Sequence, residues 1–309
     1  MKKAIKLSFK IVLSGLLLFL VFRKTNPSSI LEEFRHVSPW YFLISLALSI
    51  TAVLFASLRW GLFIKPNPGR GKVFSLYLTG MFFNTVLPGL VGGDAIKGYY
   101  LFKGGNTVPG TVSSIFMDRY LGYVALLGLG ILAYPFALPI VIGTGLEWLF
   151  PAILALFILG TGIILNIRVR AFFPSFSLFF ESLDLSFKDR TAVFNGLLFS
   201  LIVQGINILI VYVLSWGFGF ETPLIVLLAF LPIIVTLSSL PLTISGLGIR
   251  EVSFVIFLGA YGLDRESALT LSLAWFAILL TTGLLGLVEY LRAGRADLPA
   301  GMNDTPLSH

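Results

Sequence analysis

Two stretches of the chain set a cation at a fixed distance beyond a Pro- and Gly-rich interruption of an apolar run. In the first, Pro88 is followed by Gly92, Gly93 and Lys97. In the second, Pro241 is followed at the same offsets by Ser245, Gly246 and Arg250, with Gly248 between. The shared pattern is proline, three residues, a small residue, glycine, three residues, a cation. Proline removes a backbone donor and clashes with the preceding turn, and glycine weakens a helix interior. Each stretch therefore reads as two half-helices about a non-helical break. The half-helix after a break offers free N–H groups and the positive end of its dipole, and Lys97 or Arg250 in its first turns completes an anion site.

Other ionisable residues gather near the breaks. Asp94 follows Gly92-Gly93 directly, Glu251 follows Arg250, and Asp118-Arg119 lies inside the apolar stretch 109–134. A charge at the centre of a membrane helix costs about 2.5–3.5 kcal/mol on insertion scales, so several of them need partners or water. A polar cavity lined by Asn84, Asp94, Lys97, Asp118, Arg119, Arg250 and Glu251 is expected. Blander roles stand beside this reading. Asp118 and Arg119 are adjacent and would compensate each other, Asp94 would cap the half-helix that starts beside it, and all these charges would then only lock hairpins together. Arg59 and Trp60 read as an interfacial anchor for the second span, Glu147-Trp148 as an interface marker, and Glu289 with Arg292 as a surface pair at i,i+3.

The elements that position these residues must lie in a membrane. Of 309 residues, 57% are hydrophobic and 12% charged, with a mean hydropathy of +0.94. Soluble chains carry about twice that share of charge. A water-soluble fold, a disordered chain and a disulfide scaffold are excluded. There is no Cys, and the two His, at 36 and 309, stand in a polar loop and at the last residue. Neither a metal site nor a cofactor is expected. The net charge of +7 reads as Lys and Arg retained on the cytoplasmic side, not as nucleic-acid binding.

A spanning helix takes about 20 apolar residues. Full spans are expected over 5–22, 39–60, 109–134, 148–167, 193–215 and 267–291, the first as a retained signal anchor. The broken regions 73–102 and 222–262 make two re-entrant hairpins. The expected fold is an all-α polytopic membrane protein with about six full transmembrane helices and two broken hairpins. It forms one domain over 1–292, with repeat-like halves at about 73–134 and 222–291, and a polar cytoplasmic tail over 293–309. Lys and Arg crowd the amino terminus and the connections 59–72 and 168–192, whereas 135–147 and 216–221 have none. Both termini are therefore expected in the cytoplasm, against the basic residues of the 23–38 loop. The two hairpins then enter from opposite faces, as inverted repeats do in transporters.

At the same residues the sequence resembles the lysylphosphatidylglycerol synthase transmembrane region, a family of flippase-like membrane proteins, over about 5–292. The matching stretches are Asn84 to Lys97, Gly246 to Glu251, Leu58-Arg59-Trp60 and Asp118-Arg119. Lys97 stands where the family often has Arg, and Asp118 where Glu is commoner. The resemblance implies a bacterial or archaeal plasma (inner) membrane protein of a family whose best-understood members translocate aminoacylated phosphatidylglycerol between leaflets. In such proteins a separate soluble domain does the synthesis, and the short stretch after Arg292 is expected to have no room for it.

Three functions stay open on these grounds. A lipid translocase would hold the phosphate of an anionic or aminoacylated phospholipid, or of a polyprenyl-phosphate-linked lipid, between Lys97 and Arg250. Its candidate binding residues are Asn84, Pro88, Gly92, Gly93, Asp94, Lys97, Asp118, Arg119, Ser245, Gly246, Gly248, Arg250 and Glu251, its partners are lipids with anionic headgroups, and no catalytic residue is assigned. An intramembrane phosphatase or transferase on polyprenyl phosphates would want a nucleophile or base beside the clamp. Only Ser245 qualifies, and no His accompanies it. A non-transporting scaffold is the third.

Overall fold

The computed structural model describes residues 2–23, 25–86, 91–166, 170 and 172–296, which form twelve α-helices and, among the described residues, no strand. Five segments are long and apolar enough to cross a membrane: α3 (Pro39–Gly61), α6 (Val108–Val141), α7 (Leu149–Leu165, preceded by a 3-10 turn from Leu146), α9 (Arg190–Gly217) and α12 (Arg265–Ala296, apolar as far as Arg292). The sixth expected span is α1 (Lys2–Phe22), whose apolar part is the shorter Ser8–Phe22.

Each broken region is a pair of helices. α4 (Arg70–Val86) is followed by α5 (Val91–Lys103), and α10 (Leu224–Ser238) by α11 (Ile249–Tyr261). Residues 87–90, with Pro88, lie outside the described residues, as does the tail beyond Ala296. α5 and α11 have 13 residues each. At 1.5 Å per residue they reach about 20 Å, short of a hydrocarbon core of about 30 Å. Three long spans, α6, α7 and α9, separate the two pairs.

The halves interlock by exchange. α4 lies along α12, the long helix of the second half, while α10 lies along α6, the long helix of the first. The closest approaches use glycine. A Cβ on Gly286 of α12 would fall 1.9 Å from the Leu78 carbonyl oxygen of α4. One on Gly93 of α5 would fall 1.8 Å from the Gly80 oxygen. Small residues let membrane helices pack backbone to backbone. The largest buried cluster, around Phe230, Ile233, Phe254 and Leu258, seals α10 and α11 against α6, α9 and α12.

Several connections hold more structure than expected. The 23–38 loop contains α2 (Pro27–His36), started by Asn26, whose side chain accepts from Ser28 N. The 168–192 connection contains α8 (Ser177–Lys188), and α6 runs through Pro135 and Pro139 well into the expected 135–147 loop. Those prolines follow a helix already packed on α10, and packing outweighs local propensity.

Candidate functional site

The site is built where α3, α4, α5, α6 and α9 meet. Arg59, near the end of α3, is 5% exposed and Trp60 beside it is fully buried. The expected interfacial anchor is therefore an inward-facing pair. Arg59 Nε donates to Asp118 Oδ1 of α6 at 2.7 Å, and its Nη1 to Ser200 Oγ of α9 at 3.1 Å. Trp60 Nε1 donates to Ser114 Oγ at 3.2 Å. Gly122 makes room for this guanidinium, since a Cβ there would fall 3.1 Å from Arg59 Nη1.

Lys97 of α5 threads into the same place across Gly80, where a Cβ would meet its Cγ at 2.5 Å. Its Nζ lies 2.9 Å from Asp94 Oδ1 and 3.8 Å from Asp118 Oδ2. It also stands over the rings of Tyr77 and Trp60, 4.4 and 4.8 Å from their centroids. Tyr77 OH donates to Asp118 Oδ2 at 3.3 Å. With 3% exposure, Lys97 is wholly committed to the protein.

Asp118 and Arg119 do not compensate each other. Neighbours on an α-helix point about 100° apart, so Asp118 turns to Arg59 and Lys97 while Arg119 Nε donates to Asp94 Oδ2 at 2.9 Å. Asp94 is accordingly an ion-pair bridge and not the cap of α5. An amide of that helix's first turn is taken by Asn84 instead, whose Oδ1 accepts from Gly93 N at 2.9 Å.

Arg119 differs from the other cations in its exposure, 43%. It borders a cavity of about 200 Å³ lined also by Ser49, Tyr77, Asn84, Lys97 and Asn207. On its other side is a smaller cavity of about 100 Å³, shared with Arg59, Asp118, Gln204 and Ser239. Its terminal nitrogens have no hydrogen-bond partner among the described residues. Arg119 stands eleven residues into the apolar helix α6 from Val108, about 16 Å along it. The cluster holds three cations (Arg59, Lys97, Arg119) and two carboxylates (Asp94, Asp118), a surplus of one positive charge.

The second break is arranged differently. Glu251, fully buried, accepts from Arg250 Nε at 3.0 Å and from Gly248 N at 2.6 Å, and Ser272 Oγ lies 3.4 Å from the same carboxylate. The Arg250 guanidinium stacks on Phe276 at 4.5 Å. Arg250 and Glu251 form a neutral pair and line neither cavity. The two breaks do meet at one point. Ser245, at φ +51°, donates from Oγ to the Asn84 carbonyl oxygen at 2.9 Å, beside Gly246 at φ +76° and Gly248 at φ +90°. Gly92 stands in the first turn of α5 and makes none of these contacts.

Of the residues expected at the site, the structure thus joins Asn84, Gly93, Asp94, Lys97, Asp118 and Arg119, ties Ser245 to them, and keeps Arg250 and Glu251 apart. It adds Arg59, Trp60, Tyr77, Ser200, Gln204 and Asn207. The last three had a signal: they stand at i, i+4 and i+7 of an apolar span, one polar stripe on one helix face.

Compared with known families, the chain matches the family described as the lysylphosphatidylglycerol synthase TM region over residues 7–286. Comparison with curated proteins gives no match.

Proposed function

From a chain that belongs to the lysylphosphatidylglycerol synthase TM-region family, we propose a lipid translocase that takes an anionic headgroup into the cavity beside Arg119. One observation carries the reading. A charge cluster packed among apolar spanning helices has one positive charge too many, and that charge faces a cavity. An unbalanced charge in a low-dielectric interior is costly. An entering phosphate offsets it and satisfies the free guanidinium nitrogens with two parallel hydrogen bonds. Asn84, Tyr77 and Asn207 on the cavity wall supply further polar contacts. The headgroup crosses by rearrangement of the two hairpins, which open to opposite faces, while the acyl chains stay in lipid. The setting is the bacterial or archaeal plasma membrane, with both termini in the cytoplasm as the Lys and Arg distribution directs.

Phosphate-ester chemistry has less support, because the Ser245 hydroxyl is engaged with the Asn84 carbonyl and lies beside a neutralised arginine. The test is movement of labelled phosphatidylglycerol between leaflets of liposomes holding the purified protein. Arg119→Ala leaves Asp94 paired with Lys97 and so spares the fold. Loss of a charged hydrogen bond worth about 1.5–3 kcal/mol slows movement at limiting lipid roughly ten- to a hundredfold, and Arg119→Lys recovers part of it. Full activity in Arg119→Ala refutes the headgroup site, headgroup hydrolysis refutes the translocase in favour of an enzyme, and no lipid movement by the wild type refutes it in favour of a scaffold.

A further inference from the structure

Asp94 belongs to two places at once. On one side it holds Arg119 at the cavity. On the other it closes the inner end of a groove between α5 and α6, of about 410 Å³, lined by Ala95, Gly98, Tyr99, Phe102, Val112 and Ile115. The walls are apolar and outward-facing: Tyr99 is 57% exposed, Phe102 54% and Val112 48%. Gly98 makes the floor, for a Cβ there would come within 3.4 Å of both Ile115 and Thr111. From Asp94 to Phe102 the groove runs eight residues along α5, about 12 Å. Asp94 is the deep end, and the α5–α6 connection near Phe102 and Val108 is the surface end.

We infer that this groove holds one acyl chain of the anionic lipid whose phosphate sits at Arg119, with the chain running from the deep end back toward the surface. The inference rests on the headgroup reading above. Two observations select this occupant. Apart from the Asp94 carboxylate and the hydroxyls of Tyr99 and Thr111, the groove offers hydrocarbon walls, so it suits a methylene chain and not a peptide. Its Asp94 end is ion-paired to the cation with free donors, so the chain that enters is attached to a negative headgroup. The orientation is the distinctive part. A lipid of the nearer leaflet has its headgroup at the surface and its chain ends deep. The bound lipid has the reverse order, headgroup deep and chain ends near the surface, as a lipid of the opposite leaflet is oriented.

Photo-crosslinking separates the two orders. The intact protein is placed in phosphatidylcholine nanodiscs with a trace of phosphatidylglycerol carrying a diazirine either next to the acyl carbonyl or at the chain terminus, and adducts are mapped by mass spectrometry. The carbonyl-side probe is expected on the turns of Ala95 and Ile115, and the terminal probe on those of Phe102 and Val108. Ala95→Trp, at an exposed wall position, lowers adducts about tenfold by displacing some two buried methylenes. Val112→Trp does the same from the opposite wall. The opposite gradient would mean an ordinary surrounding lipid and overturns the inference. So does equal labelling by phosphatidylcholine probes, or adducts unchanged in both Trp variants. Lipid movement measured on the same preparation keeps the two readings apart: movement without the gradient leaves the translocase standing and removes the groove, and the gradient without movement does the converse.

Discussion

The surplus charge can be tested by changing it one unit at a time. Asp118 is 1% exposed and faces Arg59, Lys97 and Tyr77. Asp118→Asn keeps its shape but leaves three cations against Asp94 alone. Removing one partner of a buried ion pair costs about 3–5 kcal/mol, because the other charge stays buried without compensation. Arg59→Met removes a cation instead and leaves Asp118 with Lys97 and Tyr77, so it costs less than Asp118→Asn. The double variant returns the cluster to a surplus of one. It should be more stable than the sum of the two losses indicates, with a coupling of about 2–3 kcal/mol, the upper range for groups in direct contact. The assay is unfolding by SDS from mixed micelles, followed by tryptophan fluorescence, since Trp60 packs against the cluster. Additive losses within about 0.5 kcal/mol, as for independent sites, would refute the idea that these residues act as one balanced charge system.

Three further outcomes are expected. Ser245→Ala loses the link between the two breaks, a net hydrogen-bond contribution of about 0.5–1.5 kcal/mol, and keeps a side chain in the left-handed region; Ser245→Gly loses the same link without that strain and should unfold about 1 kcal/mol later than Ala. Gly93→Ala places a methyl 1.8 Å from the Gly80 oxygen and 2.6 Å from Asn84 Cγ; α4 and α5 cannot then close, and size-exclusion chromatography should show no monodisperse protein, whereas Gly128→Ala, with open space around it, behaves as wild type. At the start of α9, Asp189 accepts from Ala192 N and from Lys65, and these bonds hold its carboxyl below the ordinary range. A depressed pKa makes this contribution complete above the unfolded value of about 3.9 and lost as pH falls through the folded one, so Asp189→Ala should lower the unfolding midpoint at pH 7 and flatten its decline in acid.

The second break was legible because proline and glycine act locally. One helix ends at Ser238 and the next starts at Ile249, where the composition directs, whereas the first break falls on 87–90, outside the described residues, with Gly92 and Gly93 already inside α5. Asn84, Asp94, Lys97 and Arg119 were legible as polar residues in apolar surroundings. Their partners were not, because pairing depends on which way each helix is rotated. Arg59 closes an apolar span just as an anchoring arginine does, and only the packing of α3 on α9 and α6 turns it inward. Asp118 and Arg119 are neighbours in sequence that face different helices. Arg250 and Glu251 are neighbours that do pair, because Glu251 folds back over the start of α11 to reach Gly248 N.

Equivalent positions in the two halves therefore carry unequal chemistry. Lys97 and Arg250 occupy the same place in the repeated pattern, yet the first belongs to a cluster with a cation in excess and the second to a closed neutral pair. The difference lies in what each half-helix meets. α5 meets α3 and α6, which bring Arg59, Asp118 and Arg119 to it. α11 meets α1 instead, where Ser14 Oγ accepts from Ile244 N and Leu17 lies so close to Gly248 that a Cβ there would come within 2.7 Å of it. α1 presents no charge at this contact, so Glu251 is left to balance Arg250 and to hold the start of the helix. Two like sequence patterns thus leave one charged place facing a cavity, and the hydrogen bond from Ser245 to Asn84 ties the neutral one to the end of the helix that lines it.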